Sequence, residues 1–198
     1  MARPDVASRL AIFKMQFKQI IALALAGSAV ASPIQAVVDA VGATQDLATI
    51  TAAFTAVEGA LNALDTSIKA LAAGAGDAAT KEIVDKSNAV KTALDDGATK
   101  VTGSGPVSLT EALTVQSAST KLTSLTTTVI NDLIGKKDII IAAKQQKVTL
   151  ESLTAQKASA EGFVKAITAK VPAAVSSIAA AAAKSVGDSI GKGITAFS

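Results

Sequence analysis

Leu47, Ile50, Phe54, Val57, Leu61, Leu64, Ile68 and Leu71 follow one another at steps of 3, 4, 3, 4, 3, 4 and 3. A strand cannot keep that spacing on one face, because its side chains alternate with a period of two. On a helix the eight residues form one apolar seam roughly 37 Å long. Such a seam is the face of a helix packed lengthwise in a bundle. Gly74 and Gly76 end it.

The same spacing recurs downstream. A second helix is predicted from about Asp77 to Val101, with Ile83, Ser87, Val90, Leu94, Gly97 or Ala98, and Val101 facing inward. Gly103-Ser104-Gly105-Pro106 reads as a turn. Ser108 with Glu111 three residues on is a capping box. It opens a third helix carrying Leu122, Leu125, Val129, Leu133 and Ile140, predicted to run to about Lys144. A fourth begins at Thr149 and carries Leu150, Leu153, Ala160, Phe163 or Val164, Ile167 and Val171. Pro172 suits the first turn of another, where its missing N–H costs nothing; that helix carries Val175, Ile178, Ala182, Val186, Ile190, Ile194 and Phe197. Ahead of the main seam, Ile34 to Val41, closed by Gly42, reads as a short separate helix. The expectation is an all-α fold: an up-and-down bundle of four long helices plus a short N-terminal helix, forming one domain over residues 32–198.

Residues 1–31 have a different character. Arg3, Arg9, Lys14 and Lys18 precede an apolar run, Ile20 to Ala26, and Ala29-Val30-Ala31 is a small-residue cleavage pattern. These are the parts of a secretory signal peptide, and Met15 offers a second start. The run is too short for a bilayer span, and no later segment reads as one. Without this leader the chain has 15 Lys against 15 Asp and Glu and no Arg. The pI of 9.1 therefore belongs to the leader and is no argument for nucleic acid.

Composition excludes most chemistry. With no Cys and no His there is no disulfide, no thiol nucleophile, no imidazole-ligated metal and no Ser-His-Asp triad. No cofactor is expected. The carboxylate pairs Asp95-Asp96, Glu82 with Asp85, and Asp132 with Asp138 stand among lysines, as solvated surface charges do. The chain does not read as an enzyme.

Several inward positions are small or polar: Ser87, Gly97, Ala160 and Ala182. One reading is close helix approach with tight Ala packing. The other is a lengthwise cavity for an apolar guest, since ligand sites do form between bundle helices. Its lining would be Phe54, Val57, Leu61 and Leu64 on the first seam, and Val90 and Leu94 on the second. Leu125, Val129 and Leu133, then Phe163 and Ile167, then Ile190 and Ile194 would complete it. Ser87 and Thr126 are the candidate polar contacts for a head group.

Five segments, taken in order, resemble one family. They are Leu64-Asp65-Thr66-Ser67-Ile68 followed by Gly74-Ala75-Gly76; Leu109-Thr110-Glu111-Ala112-Leu113; Val129-Ile130-Asn131-Asp132-Leu133-Ile134-Gly135-Lys136-Lys137; Lys170-Val171-Pro172; and the ending Gly193-Ile194-Thr195-Ala196-Phe197-Ser198. The resemblance is to the fungal hydrophobic surface-binding protein A family, also called cell-wall galactomannoproteins. Family chains most often end in Tyr-Ser, so Phe197 is a mild departure. The resemblance implies a secreted, all-helical, non-catalytic protein of the cell wall or medium, and a monomer is expected. It implies three alternatives: enclosure of fatty acids or other lipids in the bundle, adsorption to hydrophobic surfaces with recruitment of a secreted esterase, or a structural wall mannoprotein.

Overall fold

The computed structural model describes residues 33–74 and 76–198; the expected leader lies outside them. The chain divides into Met1–Val37 and Val38–Ser198, and the packing below is that of the second unit. Six helices follow in order: α1 Pro33–Ala70, α2 Asp77–Gly103, α3 Leu109–Gly135, α4 Lys137–Ala142, α5 Gln146–Thr168 and α6 Ala173–Phe197. There is no strand among the described residues, so the fold is all-α as the spacing requires. Five helices are long, one for each of the five apolar seams, so the expected count of four long helices is one short.

Three boundaries differ from the sequence reading; in the smallest change the helix expected from Thr149 opens at Gln146. α1 runs unbroken through Gly42 over 38 residues; one helix glycine costs only about 1 kcal/mol, and no proline follows to enforce a stop. The third helix, expected to reach Lys144, instead breaks at Lys136 (φ −100°, ψ 7°) directly after Gly135. Lys136 Nζ donates to the Leu71 carbonyl at 2.7 Å. It thus places a cation beside the C-terminal end of α1, where the helix dipole favours one. Other predicted stops hold. Gly74 takes a positive φ of 78° after α1, and the Ser108–Glu111 capping box closes in both directions.

The α1 seam is the core. Ile50, Phe54, Val57, Leu61, Leu64, Ile68 and Leu71 are all buried, and Leu47 is packed against them. Gln45–Ala70 is long and apolar enough to cross a membrane by length and composition. Its apolar residues nevertheless share one face and are covered by neighbouring helices.

Specific contacts fix how the helices run. α1 and α2 form an antiparallel hairpin: Ser67 Oγ donates to Glu82 Oε1 at 2.9 Å near the turn, and Ala53 faces Gly97 further along. α3 runs parallel to α1, because Glu58 pairs with Lys121 at 2.6 Å and Lys69 with Asp132 at 3.4 Å. α2 packs on α5, α3 on α6, and α5 on α6. Ser87 meets Gln156 and Gly97 meets Phe163, so α2 and α5 are also parallel. Thr127 and Ser189 hydroxyls, 2.9 Å apart, tie α3 to α6. The spatial order α1–α2–α5–α6–α3 closes a ring of five long helices around a common axis.

Candidate functional site

The ring encloses an apolar chamber to which all five long helices contribute. α1 supplies Val57, Leu61 and Leu64; α2 supplies Ile83, Val84, Ser87, Val90 and Leu94; α3 supplies Leu122, Thr126, Val129, Ile130 and Leu133. From α5 come Thr149, Ser152, Leu153, Gln156, Ala160, Phe163 and Val164, and from α6 come Val186 and Ile190. Adjacent pairs such as Ile83–Val84 aside, each set is spaced at three and four residues, the inward face of its helix. No lining residue is charged. Room for the centre of a water-sized sphere amounts to about 50 Å³. That is enough for a few small molecules such as water and far short of a drug-sized pocket of roughly 300 Å³ or more. A long apolar molecule would fit there only if the helices spread.

The polar lining is concentrated on α2 and α5. Gln156, 5 % exposed, donates from Nε2 to the Ser87 carbonyl at 3.1 Å and to Ser87 Oγ. A hydroxyl that accepts still has its own proton to give. Thr126 is buried and donates to the Leu122 carbonyl at 2.8 Å, leaving its oxygen as an acceptor. Thr149 and Ser152 lie on the same α5 face.

The expected residues fall into three groups. Val57, Leu61, Leu64, Val90, Leu94, Val129, Leu133, Phe163 and Ile190 line the chamber, as do Ser87 and Thr126. Phe54 and Ile167 line a second, smaller space next to it. Leu125 and Ile194 are half-buried against the core and line neither, because each lies beside its helix's inward row. Gln156 was missed in the sequence, although a signal existed: it fills the seam position between Leu153 and Ala160, where an apolar residue is due. Leu122 and Val186, core positions by their spacing, line the chamber as well.

Charges lie outside the chamber. Lys91 Nζ pairs with Asp95 at 2.6 Å; this bond, helped by one from Ser159, holds the Asp95 carboxyl below its usual range. Lys69 pairs with Asp65 at 2.6 Å; the bond to Asp65, opposed by desolvation and aided by Asp132, raises the Lys69 ammonium above its usual value. Asp96, Glu82 and Asp85 are exposed, and none of the three carboxylate pairs in the sequence lines the chamber.

The family model for hydrophobic surface binding protein A matches residues 47–169. Cell wall mannoprotein 1 of Aspergillus flavus is 30% identical over 183 residues, 92% of this chain and 63% of that protein. Cell wall mannoprotein 1 of Aspergillus fumigatus is 42% identical over 95 residues, 48% of this chain and 34% of that one. The chain thus spans under two thirds of the length of these relatives. Among solved structures, ligand binding domain 1 of the Penicillium marneffei MP1 protein, complexed with arachidonic acids, superposes with a TM-score of 0.73 at 24% identity, covering 77% of this chain and 99% of that one. Afmp4p in complex with palmitic acid superposes at 0.70 with 15% identity and the same coverage. At these identities the likeness establishes a shared fold.

Proposed function

The chain belongs to the hydrophobic surface binding protein A family, and from that premise we propose that it is a non-catalytic carrier that takes a fatty-acyl chain between its helices. The observation that carries this reading is the uncharged chamber formed by five helices, with its buried polar pair, Ser87 and Gln156, on one wall. Apolar burial supplies the driving force: about 0.8 kcal/mol per methylene gives a long acyl chain roughly 12 kcal/mol, before the costs of binding and of spreading the helices. Ser87, with its proton free, donates to the carboxylate head, and Gln156 holds the Ser87 hydroxyl in place. The mannoprotein relatives and the fatty acids in the structural neighbours support a secreted or wall-associated lipid binder. A monomeric state and a secreted esterase as partner belong to the same proposal, to be checked by gel filtration and by co-purification.

Adsorption is the second reading. Leu109 and Leu113, one helical turn apart on α3, are more than half exposed, and a pair of this kind would wet a polymer or wax.

The deciding experiment is solvent extraction of the purified, secreted protein followed by mass spectrometry. The carrier reading expects fatty acids at about one per chain. A protein that yields none, takes up no fluorescent fatty acid and yet leaves solution on hydrophobic beads would be an adsorber instead.

A further inference from the structure

The apolar interior does not end at the main chamber. A second compartment of about 20 Å³, on the same measure, is lined by Phe54, Ser119, Ile167, Ala179 and Ala182. Leu122, Phe163, Val164 and Val186 line both spaces and so form the partition between them. Of these four, Phe163 has the largest side chain and is 1% exposed. Its ring meets Phe54 edge-on, with centroids 5.4 Å apart and planes at 71°. A Cβ at Gly97 would come within 2.8 Å of Phe163 Cε2. The missing side chain on α2 is therefore what lets the ring lie back against that helix. Across the second compartment, α6 presents, beside Val186, only the methyl groups of Ala179, Ala182 and Ala183.

We propose that Phe163, seated against Gly97, sets the length of acyl chain the bundle accepts by walling the acyl tail off from this second compartment. The proposal rests on the acyl-carrier reading. Methylenes that reach the ring stop gaining burial, so affinity rises with chain length up to the partition and then levels off. Shortening Phe163 joins the two spaces. Adding a methyl at Gly97 pushes the ring forward into the passage.

Native mass spectrometry on the full chain, titrated separately with laurate, palmitate and arachidate, tests this. The wild-type protein is expected to gain at least tenfold from laurate to palmitate and under threefold from palmitate to arachidate. Phe163→Leu should raise the arachidate-to-palmitate affinity ratio at least tenfold, or admit a second laurate. Gly97→Ala should lower the palmitate-to-laurate ratio several-fold. Phe163→Leu keeps an apolar side chain, and Gly97→Ala strengthens the helix locally, so the test does not depend on a cavity-forming variant that fails to fold. If the wild-type chain binds these acids but both variants keep its ratios within twofold, the length-setting role of Phe163 is wrong and the carrier reading stands. If the wild-type chain binds none of the three, the carrier reading falls and the length-setting role with it.

Discussion

Ser87 and Gln156 separate two kinds of interior. In a bundle that is only packed tightly, a buried amide bonded to a buried hydroxyl is a satisfied structural pair. In a carrier it is the polar end of the site. Ser87→Ala separates these roles: palmitate affinity should fall roughly tenfold, in keeping with about 1.5 kcal/mol for a hydrogen bond to a charged group, while a palmitate ester of equal length, whose neutral carbonyl accepts a weaker bond, loses less. Competition titration with the two ligands measures it, and equal losses would make the pair structural. Asp95 gives a pH prediction. Its carboxyl is held below the usual value near 3.8 by Lys91 and then Ser159. Its stabilising contribution is therefore present above that value and disappears as pH falls through the lower folded one. Asp95→Asn should melt below the wild type at pH 6, and the gap should close toward pH 2. Solvent screening of this exposed pair keeps the gap small. Ser87 was legible in the sequence as a polar residue on an apolar seam. Gln156 was not read, because the gap from Leu153 to Ala160 still fits an amphipathic helix without it.

The long seams were legible because apolar residues at steps of three and four leave no other regular structure, and the structure buries all but Leu47 of the first one. Helix ends depended on tertiary partners. Gly42 sits inside α1 at tolerable cost, whereas Gly135 ends α3 because the next residue, Lys136, is engaged by the Leu71 carbonyl. The Ser108–Glu111 box was readable because its chemistry is local. Ser108→Ala should destabilise the protein by about 1 kcal/mol, seen as a lower urea midpoint with unchanged slope. α6 is uneven along its length. None of its described side chains from Ala173 to Ser185 is buried, whereas Val186, Ser189, Ile190, Gly193 and Phe197 are. Local opening follows buried contact, so amides of Ala173–Ser185 should exchange hydrogen faster than those of Val186–Phe197.

The arrangement of the bundle was the least legible level. Seam spacing counts inward faces, but it does not say that α3 runs parallel to α1 or that α2 lies against α5; those pairings come from contacts such as Glu58–Lys121 and Ser87–Gln156. The ring of five helices follows from them, and so does the chamber on its axis. A bundle with one helix fewer would close on itself more tightly. Val129, 1% exposed, lines that chamber on α3, and an indole there would fill it. The most direct measurement is therefore a palmitate titration of the wild-type protein beside Val129→Trp, by calorimetry, with helix content checked by circular dichroism. The account predicts saturation near one palmitate per wild-type chain and at least a tenfold loss of affinity in the variant with its helices intact. Equal binding by the two proteins would place the lipid on the outside of the bundle and contradict it.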